Sequence, residues 1–301
     1  MPDTATRAGT VALVGLPNAG KSSLLNRLLG SKLSIVTPFA QTTRERVIGI
    51  DTRDGIQMVF VDTPGIVAPA YLLHRSLIEI VDESIADADV VVLVTDGTRP
   101  PPELNPEAID GLRKAPGRLI IAVNKLDVAA ETQLSAHFAW AERTFGAPAF
   151  LVSAETGSGL EALRAEIGER LPLSPFLYPE DDLSSQPVRF FVAELVRETA
   201  FEQYSEEIPY CVAVKIESFQ ENKDPIVIRA TIFVERASQK GIIIGKQGAA
   251  LRELGTRARM KIEEFLDAHV FLELWVKVLP KWRKNPIELQ RLGFPVPQET
   301  D

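Results

Sequence analysis

GLPNAGKS, residues 15–22, follows the apolar run 11–14 and precedes LLNRLL, residues 24–29. The segment fits G-x-x-x-x-G-K-[ST], a spacing that curls the backbone so that successive N–H groups face an anion. A helix starting near Lys21 adds its positive N-terminal dipole to the same point. The loop residues Asn18, Ala19, Gly20, Lys21, Ser22 and Ser23 are therefore expected to cradle nucleotide phosphates. Lys21 would supply a point charge to the outer phosphates, and the Ser22 hydroxyl would ligate Mg²⁺.

Outward from this loop, short β-branched runs recur at 10–15, 46–51, 56–62, 89–96, 118–125 and 147–154, with helical stretches between most of them. TRDG, residues 52–55, joins the second and third as a hairpin. The alternation predicts an α/β unit with a mostly parallel sheet, one antiparallel pair, and ligands at the carboxyl ends of the strands. LPLSPFLYPEDDLSSQP, residues 171–187, carries four prolines and reads as a stiff connection. The expected division is a nucleotide domain over 1–173, a linker over 174–187 and a smaller α+β domain over 188–301.

Three further segments fall at predicted strand ends. NKLD, residues 124–127, offers Asp127 to the N1–H and amine of guanine, a pair that adenine cannot make. Asn124 would brace the loop, and the Lys125 stem would lie over the ring. In SAETG, residues 153–157, Ser153 would hold the loop while the Ala154 N–H reaches the guanine carbonyl. DTPG, residues 62–65, offers Asp62 to Mg²⁺ through water and the Gly65 N–H to the γ-phosphate. QTTR, residues 41–44, supplies Thr43 as the hydroxyl that joins the Mg²⁺ shell when a third phosphate is present. The reading is a switch between GTP and GDP, with Lys21, Thr43 and Gly65 acting at the γ-phosphate. Ile66 stands where many such enzymes place a water-orienting glutamine, so hydrolysis should be slow without help. Asn18 is a candidate to seat K⁺ against the phosphates; a loop-bracing role is the alternative.

The chain has 301 residues, a net charge of −8 and one cysteine, Cys211. One cysteine excludes an internal disulfide and a cysteine-based zinc cluster. Together with the lack of a signal peptide or an apolar span, it suggests a cytoplasmic setting. Residues 236–291 nevertheless hold twelve basic and six acidic residues, a local excess that suits nucleic acid or an anionic surface. GKQG, residues 245–248, is a G-x-x-G turn of the kind that clamps an RNA backbone in KH modules. Gly245, Lys246, Gln247 and Gly248 would meet phosphates, followed by a basic series at Arg252, Arg257, Arg259 and Lys261. Lys281 and Arg283 would add phosphate contacts, and Trp282 would stack on a base.

These segments, together with VERASQKGIIIGKQG, LELWVKV and LYPEDD, resemble the Era GTPases of bacteria over nearly the whole chain. Phe39-Ala40 departs from the family's usual residues. The resemblance implies a GTPase domain joined to a C-terminal KH domain, with GTP or GDP and Mg²⁺ as ligands. It implies binding of the 3′ end of small-subunit ribosomal RNA and a role in assembling the 30S subunit. Peripheral contact with the inner face of the cell membrane is also implied, and no stable homo-oligomer is. Two other readings are a GTPase aiding RNA modification, for which no further catalytic constellation is visible, and a nucleotide-gated membrane regulator.

Overall fold

A computed structural model describes residues 6–297 apart from Pro38, Ala40 and Pro116. Half of the Phe39-Ala40 departure thus lies outside the described residues. The chain divides into two compact units, Met1–Pro69 with Leu77–Ser185, and Ala70–Ser76 with Gln186–Asp301.

The first unit runs β1 (Arg7–Val14), α1 (Lys21–Leu29), β2 (Val47–Arg53), β3 (Ile56–Asp62), α2 (Leu72–Asp87, its first turn counted with the other unit), β4 (Val90–Asp96) and α3 (Pro106–Arg113). It continues with β5 (Leu119–Asn124), α4 (Glu131–Phe145), β6 (Ala149–Leu151) and α5 (Leu160–Arg170). The sheet order is β2-β3-β1-β4-β5-β6. β2 and β3 are antiparallel and the other pairings parallel, as the DG hairpin and the crossover-length helices require. β1, β4 and β5 are buried along almost their whole length, which is why they read as continuous apolar runs. Val81, Ile85, Leu112, Leu134 and Ala141 from α2, α3 and α4 pack with Ala12, Val14, Leu93 and Val123 of the sheet. The chain order reverses at β1, between β3 and β4, so the loop leaving β1 opens into the crevice where α/β sheets hold ligands.

The proline-rich stretch after α5 lies along the sheet edge. Gln57 of β3 is fully buried, and its carboxamide accepts from the N–H groups of Leu177 and Tyr178 and donates to the Tyr178 carbonyl. The Ile50 N–H of edge strand β2 donates to Leu183 O at 2.9 Å, and the Ser184 hydroxyl donates to Ile48 O. The prolines keep this strand-side strap extended, and Gln57 satisfies backbone groups that burial would otherwise leave unpaired.

The second unit contains α6 (Val188–Gln203), α7 (Ile208–Cys211), β7 (Ala213–Gln220), β8 (Ile226–Val234), α8 (Ala237–Ile244), α9 (Ala249–Leu266), β9 (Val270–Val278) and α10 (Pro286–Arg291). Its sheet runs β7-β8-β9, with β7 antiparallel and β9 parallel to β8. Val192, Val196, Ile228, Ile232, Leu254, Ile262 and Val276 join helices and sheet in one core. Cys211 is buried in it, on the helical turn α7. Pro209, at the start of that turn, has no N–H for a ladder and suits a first helical turn.

Candidate nucleotide site and nucleic-acid interface

The loop between β1 and α1 demands its glycines. Gly15 has φ +149°, and a Cβ there would lie 2.2 Å from Val94 O. At Gly20, φ is +93° and a Cβ would meet Asn124 Nδ2 at 2.2 Å. Lys21 is buried, and its Nζ donates to Gly15 O and Leu16 O, both at 3.1 Å, so its charge is folded back into the loop. Burial lowers its pKa to about 8, with Asp62 opposing the shift. An arriving phosphate would favour the charged form.

Ser22, Thr43 and Asp62, far apart in sequence, converge. The Ser22 hydroxyl donates to Asp62 Oδ2 at 2.6 Å and stands 3.0 Å from the Thr43 hydroxyl, which itself lies 3.5 Å from Asp62 Oδ2. Asp62 is fully buried, and its Oδ1 has no hydrogen-bond partner among the described residues. Burial pushes the carboxyl above the usual range, against the pull of Lys21 and Ser22. Two hydroxyls and a buried carboxylate with an unused oxygen fit a small, hard cation that keeps part of its water shell, which is the chemistry of Mg²⁺. Ser22→Ala should therefore sharply raise the Mg²⁺ concentration needed for nucleotide binding. Lys21→Ala should abolish measurable hydrolysis while the thermal melt stays near wild type. Normal turnover by Lys21→Ala would remove this loop from the chemistry.

DTPG closes over the loop from the other side. The Ile66 N–H donates to Gly15 O at 3.0 Å, and a Cβ on Gly65 would strike Pro17 at 2.8 Å. The Ile66 side chain packs against the apolar core, so it presents nothing to a water at the phosphates. Asn18 has φ 63° and lines the same pocket as Lys21, Ser22, Ser23, Thr43 and Gly65.

The base end is assembled from three loops. Asn124 donates through Nδ2 to Ala19 O and accepts through Oδ1 from the Ala154 N–H, each at 3.0 Å. One side chain thus ties the phosphate loop to the SAETG loop. The Ala154 N–H, expected at the guanine carbonyl, is engaged by Asn124 here, so a guanine contact there would have to share it. Ser153 donates to Asp127 Oδ1 at 2.5 Å and accepts from Thr156 N–H, fixing the carboxylate that would read guanine. Lys125 Nζ donates to Asp96 Oδ2 at 2.6 Å, which pins the stem. Burial opposes ionisation of Asp96, yet hydrogen bonds from Lys125 and Thr98 hold its pKa below the usual range. Asp96 escaped the sequence reading; its signal was an acid at the carboxyl end of an otherwise apolar strand.

In the second unit, α8 and α9 meet at the GKQG turn. Gly245 has φ +70° and a Cβ there would approach Ala250 Cβ at 2.6 Å; Gln247 and Gly248 are also left-handed. Lys246 and Gln247 are exposed at the tip. Beside the turn is a groove of about 470 Å³, lined by Leu251, Arg252, Gly255 and Arg259 of α9 and by residues 270–274 of β9. The expected basic series divides by helical face. Arg252 and Arg259 face the groove. Arg257 pairs with Glu202, and Lys261 with Glu198 and Glu202, so both are turned onto α6.

The tail corrects the expectation for Trp282. Its side chain is fully buried, its indole N–H donates to Cys211 O at 2.9 Å, and its ring stacks on Phe294. It closes the end of the unit and offers no face to a base. Arg283 is half-buried and paired with Glu235 at 2.5 Å, so it too is removed from the surface role; Lys281 is exposed.

Residues 10–125 match the family described as 50S ribosome-binding GTPase, and residues 207–283 match the KH domain. A protein named GTPase Era from Geobacter metallireducens is 40% identical over 297 residues, covering 98% of this chain and all of the relative. This chain belongs to the Era GTPase family. Another GTPase Era, from Pseudomonas entomophila, is 40% identical over 97% of this chain and 98% of its own length. Among solved structures, a point variant of Aquifex aeolicus Era bound to GDP and AlF4⁻ superposes with a TM-score of 0.89 at 37% identity. It covers 96% of this chain and 99% of that one. An Era complex with MgGDPNP and nucleotides 1506–1542 of 16S ribosomal RNA gives 0.90 at the same identity and coverage. The α/β GTPase fold followed by a smaller KH domain is that of the family.

Proposed function

We propose that this protein is a Mg²⁺-dependent GTP switch whose KH domain binds the 3′ end of small-subunit ribosomal RNA and assists 30S assembly. The observation that carries the switch is the meeting of Thr43, Asp62 and Ser22 at one point, with the Gly65 loop closing on the phosphate loop. When bound, Mg²⁺ would supply charge neutralisation between the outer phosphates. Ser22 and Thr43 would hold it directly and Asp62 through water. Lys21 neutralises phosphate charge, and the Gly65 N–H reports whether a γ-phosphate is present. Loss of that phosphate releases Thr43 and Gly65 together. Residues 1–173 carry this chemistry, and 188–301 carry the RNA site, with Lys246, Gln247 and Arg252 at the phosphates and Lys281 as a further cation.

With Ile66 turned into the core, the attacking water needs another group. Asn18 is our candidate to seat K⁺ there; potassium should then accelerate hydrolysis over sodium, and Asn18→Ala should erase the difference. Equal rates in the two salts would return Asn18 to loop bracing. Among the described residues no helix is long and apolar enough to cross a membrane. We place the protein in the cytoplasm, with peripheral membrane contact, implied by the family, to be tested by sedimentation with anionic vesicles.

The deciding experiment measures RNA affinity without nucleotide, with GDP and with a non-hydrolysable GTP analogue at one salt concentration. The analogue and GDP should give different affinities, and RNA should shift nucleotide affinity by the same factor. Identical affinities in all three states would leave two independent binding modules and remove the switch.

A further inference from the structure

SKLSIVT, residues 31–37, leaves α1 and leads into the loop that carries Thr43. Ser34 stands between Leu33 and Ile35 in it, and it is only 1% exposed. Its hydroxyl has no hydrogen-bond partner among the described residues, and a buried hydroxyl without a partner is destabilising. The same is true of Asp62 Oδ1. The two belong to neighbouring groups. The Ser34 side chain stands close enough to the Asp62 carboxyl to help lower its pKa, without completing a hydrogen bond to it.

The first helix explains why Ser34 stays there. Ser22 and Asn26 lie four residues apart on α1 and share one face of it. The Ser22 hydroxyl holds Asp62 Oδ2 at 2.6 Å. One turn on, Asn26 Oδ1 accepts from the N–H groups of Leu33 and Ser34, both at 2.9 Å, and Asn26 Nδ2 donates to Ser34 O at 2.8 Å. The loop is therefore fixed at its start to the helix that carries Ser22, while its far end reaches the site through the single hydroxyl of Thr43. Release of Thr43 leaves the Asn26 clamp, and with it Ser34, in place.

We propose that Ser34 is a positioning residue of the Mg²⁺ site, whose hydroxyl and Asp62 Oδ1 together accept the two protons of one metal-bound water, whichever nucleotide is bound. This rests on the Ser22–Thr43–Asp62 reading of the site and extends it by one residue. Mg²⁺ keeps several of its waters when a protein binds it, and each such water has two protons to give. Asp62 alone would take one and leave the water free to turn. With Ser34 as second acceptor its orientation is set, and outer partners of this kind raise metal affinity.

The test titrates Mg²⁺ into the full chain and reads affinity for a fluorescent GDP, so that no turnover is involved. Ser34→Ala should raise the Mg²⁺ concentration needed for half-maximal affinity roughly 10- to 100-fold. Ser34→Cys, which keeps the shape but lacks the oxygen, should do the same. In EDTA both variants should bind GDP as the wild type does. The melting temperature of nucleotide-free Ser34→Ala should hold or rise, because an unpaired buried hydroxyl is removed. The Mg²⁺ shift should recur with a non-hydrolysable GTP analogue, whereas Thr43→Ala should shift the analogue alone. Ser22→Ala, measured alongside, tests the metal site itself. If Ser22→Ala raises the Mg²⁺ requirement and Ser34→Ala does not, Ser34 is overturned and the site stands. If Ser34→Ala lowers the nucleotide-free melting temperature and weakens GDP equally in EDTA and in Mg²⁺, Ser34 is a packing residue and the proposal is overturned. An unchanged requirement in Ser22→Ala would bring down the metal-site reading and Ser34 with it.

Discussion

Asp127→Asn should lower GTP affinity roughly a hundredfold or more and create affinity for xanthosine triphosphate. The carboxylate would accept from two guanine donors, and the Ser153 hydroxyl, 2.5 Å from Asp127 Oδ1, holds it in place for that pair. An asparagine presents an N–H where guanine also presents one, so bound guanine would leave that donor pair unmatched. Xanthine carries an oxygen at C2, so the same amide finds an acceptor. Asp127 is exposed, so the substitution spares the core and the melting temperature should hold. Competition of GTP, ATP and XTP against a fluorescent guanine nucleotide reads the outcome. Equal GTP binding by mutant and wild type would remove Asp127 from base recognition.

The second large effect belongs to the RNA site. Lys246→Asp with Gln247→Asp places two carboxylates at the exposed tip of the turn. Gln247 has φ 51°, a left-handed conformation that aspartate tolerates better than most residues, so the backbone should survive. RNA affinity should fall on the order of a hundredfold near physiological salt, and the dependence of log K on log salt should flatten. GTP affinity should stay within a few-fold, because no nucleotide contact is altered. A double variant that binds RNA normally would take the turn out of the interface.

The candidate nucleotide site was legible because four of its five motifs are local signatures ending a strand, and a parallel sheet brings strand ends together. The partners between motifs were not readable. Asn124 bridging Ala19 and Ala154, and Asp96 holding Lys125, join residues that only the sheet order makes neighbours. In the KH unit one tryptophan was misplaced. Trp282 sits in a basic segment, which suggested a surface, but composition says nothing about which way a ring turns after a strand ends. Trp275 sits in VFLELWVKV, where strict alternation puts it opposite the core-facing Leu274 and Val276. Half of the basic series on α9 was hidden in the same way: Arg257 and Lys261 share a helical face that meets the acids of α6, and only the packing of α6 on α9 reveals it.

The strap over β2 bears on how the GTPase unit behaves when it is separated from the rest. β2 is the outermost strand of its sheet, and open strand edges recruit other chains. Leu183 occupies the outward N–H of Ile50, Ser184 occupies Ile48 O, and Gln57 anchors the strap behind them. A fragment ending at the last residue of α5, Arg170, would uncover both the strand edge and a buried carboxamide. It should self-associate, whereas a fragment carried through Ser185 should remain monomeric.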